Sequence, residues 1–342
     1  MNKPEVSVHL VVYNGERYLR RCLEAIKAQT YENIKFRIFN NASTDNTIAI
    51  LREVWPSAEL INFDKNHSLG GGFNRSLYYS DSPYVVGLCV DVAMASDFIE
   101  RAVDVVERYK KIGVLQAKIY RYDWEKNENT NIIDTTGIQI FRSRRITNRG
   151  HGEQDTGQYN VAGGIFCYEG AVPLFRREAL DDASVLKDKK DDKYPYEYLD
   201  EDFVWYADEL DLGWRMRLLG WENWYEPSVI AYHDRQTTHK LSHSYRDFIR
   251  LRRTVPAFKR RLDFENQRLA FIKNDFGVSI LMNLPWFLKR ELFLFVYFLI
   301  WERSTVPAYW HIIKKTPLML HKRKKIMKRR KISKGELRRW FK

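Results

Sequence analysis

Cysteine is scarce in this chain, and the little there is lies scattered. Cys22, Cys89 and Cys167 are the only three in 342 residues, with no CxxC pair among them. An odd, widely spaced set excludes a disulfide framework and a thiolate zinc site, and points to free thiols in a reducing compartment. Long apolar runs are missing too. The apolar stretch Leu292 to Trp301 has 10 residues, where a membrane-spanning helix needs about 20. Val6 to Val12 is too short for the apolar core of a signal peptide, and no small-residue cleavage site follows it. The expectation is a chain made and kept in the cytosol. No internal repeat is present, which sets solenoids aside.

Charge and aromatic surface are plentiful. Charged residues make up 30% of the chain, aromatics 14% and hydrophobic residues 44%, so a real core can form and a disordered or fibrous chain is excluded. The net charge of +13 sits almost wholly at one end: Lys322 to Lys342 holds twelve Lys or Arg against one Glu. A basic tail on a near-neutral body predicts one anionic partner, a membrane or a nucleic acid. Nucleic acid ranks last. The tail's only aromatics, Trp340 and Phe341, stand at its extreme end, whereas single-strand binding wants stacking platforms among the charges. Beside the tail, Leu281 to Trp301 is apolar and aromatic, interrupted by Lys289, Arg290 and Glu291. It reads as an interfacial helix on an anionic membrane, with burial against the body as the alternative. Each tail cation near such a surface contributes about 1 kcal/mol.

The first third alternates strand and helix. Val6 to Val12 reads as a buried strand, Tyr18 to Gln29 as an amphipathic helix, and Ile34 to Phe39 as a strand. Thr47 to Val54 is a helix with cap candidates in Ser43 to Asp45. Strands follow near Glu59 to Phe63 and at Tyr84 to Val90. This alternation predicts a parallel α/β sheet, whose ligands sit at the carboxyl ends of strands. Polar residues cluster there, after Val12, Phe39 and Val90. Beyond about Tyr120 the pattern becomes mixed, with strands expected at Tyr159 to Phe175 and Trp221 to Ala231. Helix dominates from Ser244.

Tyr13, Asn14 and Asn40 stand at strand carboxyl ends, where ligands bind, and Gly70-Gly71-Gly72 lets backbone approach a ligand closely. The segments Val6 to Asn14, Gln29-Thr30-Tyr31 and Asn40-Asn41-Ala42-Ser43-Thr44-Asp45 resemble the opening of family 2 glycosyltransferases. Asn66 to Asn74 is similar to their glycine-rich loop, and Gly170 to Arg177 to their acceptor-side segment. Asp200-Glu201-Asp202-Phe203 and Asp208 to Arg215 resemble the block that holds their catalytic base. The resemblance covers roughly residues 5 to 240 and is strongest to rhamnosyl- and galactofuranosyltransferases of surface-polysaccharide assembly.

That resemblance implies a GT-A fold, a Rossmann-like α/β nucleotide-sugar-binding domain with a mixed sheet, over residues 1–240. A C-terminal helical, membrane-associating region (241–320) and a polybasic tail (321–342) follow. It implies donor contacts at Val12, Tyr13, Asn14, Asn40, Asn41, Asn66, Gly71, Asn74 and Asp91. Asn40 stands where the family has an aspartate that accepts from the base; its carboxamide oxygen keeps the acceptor and its nitrogen adds donors. Asp91 is the last acid of a DxD-type motif that holds Mg²⁺ or Mn²⁺. The first acid falls at Cys89, and a thiol is a poor ligand for a hard cation. His233 is the second candidate metal ligand.

Glu209 falls at the base position with Asp208 before it, the reverse of the family's Glu-Asp order. An inverting transfer needs one such base to take the acceptor hydroxyl's proton, and no nucleophilic carboxylate. Asp208 to Asp211 also suits the start of a helix, with Asp211 and Arg215 as an i, i+4 pair. The expected reaction moves a sugar such as rhamnose or galactofuranose from a dTDP- or UDP-sugar to a lipid-linked or polysaccharide acceptor. Its expected place is the cytosol, peripheral on the inner face of the cytoplasmic membrane. The competing expectation is a catalytically weakened GT-A scaffold that binds or assembles other components.

Overall fold

The computed structural model describes residues 3–123, 126–188, 193–235 and 245–342. The boundary expected at residue 240, and the helix start expected at Ser244, lie outside them. The N-terminal half runs β1 (Val6–Val12), α1 (Glu16–Lys27), β2 (Ile34–Asn40), α2 (Thr47–Val54), β3 (Glu59–Asn62), α3 (Ser68–Ser76), β4 (Tyr84–Leu88), β5 (Val92–Met94) and α4 (Phe98–Arg108). Next come β6 (Ile112–Asp123), β7 (Glu128–Thr135), β8 (Ile138–Ile140), β9 (Ile146–Asn148), β10 (Gly163–Gly164), β11 (Leu174–Arg176) and α5 (Arg177–Ala183). Then β12 (Val185–Leu186), β13 (Tyr196–Glu197), α6 (Asp208–Leu218) and β14 (Glu222–His233) lead into helices only: α7 (Tyr245–Thr254), α8 (Ala257–Asn274), α9 (Gly277–Met282), α10 (Leu284–Trp301), α11 (Pro307–Arg329) and α12 (Lys334–Arg338).

One mixed sheet organises the molecule, in the order β10-β14-β6-β11-β4-β1-β2-β3. The run β4-β1-β2-β3 is parallel, and β11 joins β4 to β6 antiparallel on both sides. This is the mixed α/β architecture the sequence predicts. Strand β1 shows how alternation builds two cores. Val6, Val8, Leu10 and Val12 face α1 and α4, while Val11 faces the opposite layer. Helix α1 supplies Leu19, Cys22, Leu23 and Ile26 to the first layer, each large aliphatic contributing about 1.5–3 kcal/mol by leaving water. On the opposite side of β1, His9 is buried between the hydroxyls of Ser7 and Ser76 at 2.8 and 2.9 Å. Burial, then the Arg37 and Arg177 charges, drive its pKa down to about 3, so the ring is neutral.

Three expectations change here. Tyr159 to Phe175 is not one long strand: only Gly163–Gly164 and Leu174–Arg176 pair in the sheet. Ile165 to Tyr168 is apolar because it is buried, with Cys167 meeting Ile138 in a single bridge. The glycine-rich stretch is not a loop but helix α3. A Cβ on Gly72 would stand 2.7 Å from Val11 Cγ1, so glycine lets that helix lie against β1.

The polybasic segment is not a tail. Helix α11 runs through the boundary expected at residue 321 and packs on α8, while Leu337 and Phe341 enter the main core. Two of its cations pair with acids of the body, Lys322 from a buried position and Arg329 at the surface. Lys322 reaches Glu197 at 2.9 Å and Asp202 at 2.7 Å, and Arg329 reaches Asp182 at 3.0 Å. No helix among the described residues is long and apolar enough to cross a membrane.

Candidate active site

The polar residues at the carboxyl ends of the strands knit the loops of that edge together. Val12 stands beside Asn40 in the β1–β2 register. Asn40 Nδ2 donates to Asn62 Oδ1 at 2.9 Å, and its Oδ1 accepts from the Ser43 N–H at 2.9 Å. Asn41 Oδ1 accepts from the His67 N–H at 2.9 Å, while its Nδ2 donates to Asn66 Oδ1 and the Ser68 carbonyl. Asn14, at φ +51°, accepts from the Thr44 N–H at 2.8 Å. Tyr13 remains half exposed. Asn74 is fully buried and spent elsewhere. Its Oδ1 accepts from the N–H groups of Tyr198 and Leu199, and its Nδ2 donates to the Leu199 carbonyl and Glu201.

A cavity of about 530 Å³ brings the chemistry together. Among the residues read from the sequence, Asp91, His233, Asp208 and Glu209 line it. Val12, Tyr13, Asn14, Asn40, Asn41, Asn66, Gly71 and Asn74 do not. Sheet pairing explains the first two. Strand β5 runs antiparallel to β14 with Val92 opposite His233, so Asp91, just before β5, arrives beside the imidazole. Asp91 Oδ2 lies 3.4 Å from His233 Nε2.

Behind them stands Asp134, fully buried at the end of β7. Its Oδ2 is 2.9 Å from His233 Nδ1, and its Oδ1 accepts from Arg235 Nε at 2.6 Å. Arg235 also donates to Glu169 Oε1 at 2.8 Å. Burial alone would raise Asp134, yet Arg235 and the two histidines, His151 and His233, outweigh it and hold the carboxyl well below its usual range. Burial likewise opposes a charge on His233. Asp134, then Asp91, prevail and hold its pKa up to about 10.

The N-terminus of α6 also lines the cavity. Asp208 and Glu209 open that helix, and a Cβ on Gly70 of α3 would come 3.7 Å from Asp208 Oδ2. Burial, then the adjacent Asp208 carboxylate, push Glu209 well above the usual carboxylate range. Immediately before them, Tyr206 and Ala207 take φ of +69° and +64°. Left-handed backbone costs roughly 1–2 kcal/mol per residue outside glycine, and such strain persists only where surrounding structure holds it. Asn266 of α8 does so, donating to the Trp205 carbonyl at 2.7 Å and the Tyr206 carbonyl at 3.1 Å. One turn into α6, Asp211 is buried against Arg215, Lys273 and Asn274 at 2.9, 2.8 and 2.7 Å.

Sequence reading missed Asp134, Glu169 and Arg235. Arg235 carried a faint signal, two residues after His233 and so able to share its direction on extended backbone. Asp134 and Glu169 carried none. A second acidic group, Glu197, Asp200 and Asp202, has oxygens close enough to share a cation. The cations there are ammoniums: Lys322 meets all three acids, and Lys273 lies 2.6 Å from Asp200.

The cavity's lining includes five carboxyl groups, Asp91, Glu169, Asp208, Glu209 and Asp263, partly offset by Arg235 and His233. Asp91 with an Nδ1-anchored His233, once deprotonated, is a suitable donor pair for a divalent ion. The glycosyl transferase family 2 model matches residues 7–183, just over half of the chain. Glycosyltransferase GlyA of Streptococcus pneumoniae is 33% identical over 117 residues, 34% of this chain and 16% of that protein. Chondroitin synthase of Escherichia coli is 26% identical over 130 residues, 37% of this chain and 19% of that protein. The matched regions thus span less than a fifth of either relative. Among solved structures, GalNAc-T7 with UDP, GalNAc and Mn²⁺ superposes with a TM-score of 0.55 at 11% identity, over 79% of this chain and 51% of that one, a likeness of fold. On the family match, the chain belongs to glycosyl transferase family 2.

Proposed function

We propose that the chain is an inverting glycosyltransferase that moves a sugar from a nucleotide diphosphate donor to a hydroxyl of a lipid-linked or polysaccharide acceptor. One observation carries this reading: Asp91 and His233 share a cavity with Asp208 and Glu209. Glu209, once ionised, takes the acceptor hydroxyl's proton as that oxygen attacks the anomeric carbon and the bond to the diphosphate breaks. Its raised pKa makes it a stronger base than an ordinary carboxylate. Asp208, next to it, adds negative charge that favours this proton uptake. Asp91 and His233 would hold Mg²⁺ or Mn²⁺, which neutralises charge on the departing diphosphate. His233 must lose its proton to act as a ligand, so metal uptake releases protons. The resemblance to rhamnosyl- and galactofuranosyltransferases supports rhamnose or galactofuranose, carried on dTDP or UDP, as the sugar moved in polysaccharide synthesis.

A donor screen by thermal shift, with Mn²⁺ or Mg²⁺ present, tests the reading. A ligand at 100 times its dissociation constant stabilises by about 2.7 kcal/mol. A stabilising donor that is also hydrolysed or transferred, with loss of turnover in Glu209→Ala, supports it. No stabilisation and no turnover with any nucleotide sugar favours the scaffold alternative, toward which Cys89 in the place of an acid leans.

A further inference from the structure

The surface of α9, α10 and the first part of α11 is unlike the rest of the molecule. Among the described residues, sixteen of the twenty-five exposed large hydrophobic side chains lie between Val278 and Leu320. Leu281, Leu292, Ile300, Trp310 and Ile313 are each more than half exposed. Contiguous apolar exposure on this scale marks an interaction surface. Charge narrows the choice of partner. Within residues 277–320, all of them described, the exposed charged residues are Lys289, Arg303 and Lys314, and every one is cationic. The two acids of the stretch turn inward: Glu291 pairs with Arg268 at 2.7 Å, and buried Glu302 pairs with Arg252 at 2.7 Å.

We propose that this face seats on the surface of an anionic lipid bilayer. Apolar side chains enter the interface, and the cationic rim meets headgroups. A second copy of the chain would set like charges against each other along the same rim. The face also leads to the cavity. Glu302, just after α10, pairs with Arg260 of α8 at 3.1 Å. Two residues earlier, half-exposed Phe258 packs on Trp205 with ring centroids 6.4 Å apart, and Trp205 lines the cavity. These contacts tie the cavity lining to the helices that carry the face, so seating would keep the cavity near the bilayer, where a lipid-linked acceptor is displayed. That acceptor rests on the transferase reading; the docking itself does not.

The test is flotation of the full chain with phosphatidylcholine vesicles, alone or with phosphatidylglycerol added, and with no donor or acceptor present. The expected result is co-flotation with the anionic vesicles and a fall of about tenfold or more in Leu292→Glu. Lys289→Glu with Lys314→Glu, which leaves the apolar side chains in place, weakens flotation on anionic vesicles only. Thermal unfolding of each variant confirms that it is folded. The proposal is overturned if nothing floats, if wild type and all variants float alike, or if the chain sediments as a dimer that Leu292→Glu turns into a monomer. None of these outcomes bears on donor turnover, so the transferase reading stands or falls separately.

Discussion

Asp91 Oδ2 and His233 Nε2 lie 3.4 Å apart at the junction of β5 and β14, and Asp134 fixes the far side of the imidazole at 2.9 Å. A ligand histidine anchored through its other nitrogen holds its ring orientation, and loss of such an anchor costs about 10–100-fold in metal affinity. Asp134→Asn is therefore expected to weaken Mn²⁺ binding by that factor in calorimetric titration, with Asp91 and His233 intact. Unchanged affinity would show that the ring is oriented by something else.

Glu209 supplies a kinetic prediction. Glu209→Gln keeps the shape and removes the base, so kcat should fall about 10²–10⁴-fold with the donor KM little changed. A parallel rise in KM would mean that Glu209 binds rather than reacts.

The same residue supplies a pH prediction for stability. Its folded pKa lies well above its ordinary value, through burial and Asp208. The stability contributed by the protonated form is complete below the ordinary glutamate range and is lost as pH rises through the raised folded value. Glu209→Gln should thus raise Tm at neutral and alkaline pH relative to wild type, and make no difference in acid. Identical Tm profiles would count against the raised pKa.

Lys322 tests whether the basic segment belongs inside. It joins Glu197, Asp200 and Asp202, and those acids hold its pKa above the ordinary lysine value despite burial. Lys322→Met strands buried carboxylates, a loss of about 3–5 kcal/mol. Exposed Lys324→Ala and Lys328→Ala should stay within about 0.5 kcal/mol of wild type. Urea unfolding distinguishes the two groups, and equal small effects would restore the picture of a free tail.

Ala207, at φ +64°, should accept glycine gladly. Relief of left-handed strain, less glycine's extra unfolded entropy, predicts a gain of about 0.5–1 kcal/mol. A loss of stability on Ala207→Gly would place the constraint in the methyl group instead.

What the sequence disclosed follows the range of the interactions involved. Val6–Val12 and Thr47–Val54 emerge with the bounds their patterns predict, because strand alternation and helix stripes are local. The α/β architecture follows from the same signals. Asp91, His233, Asp208 and Glu209 could be named from motifs, but their meeting depends on β14 returning beside β5. Asp134 carried no signal, since only the β6–β7 pairing brings it behind His233. The glycines misled because a loop and a thin, close-packed helix ask for the same residue. The lysines misled because a charge run looks the same whether water or buried carboxylates receive it.

The helix bearing Asp208 and Glu209 is braced by Asn266, Lys273 and Asn274 of α8, and the acids leading to it are neutralised by Lys322. A nascent chain emerging from the ribosome can pair β1, β2 and β4 early, since their partners are already made. It cannot seat those two carboxylates until α8 and α11 have left the exit tunnel. Competence is therefore expected to arrive late in synthesis, and translation stalled before α11 should yield a folded sheet without a working centre.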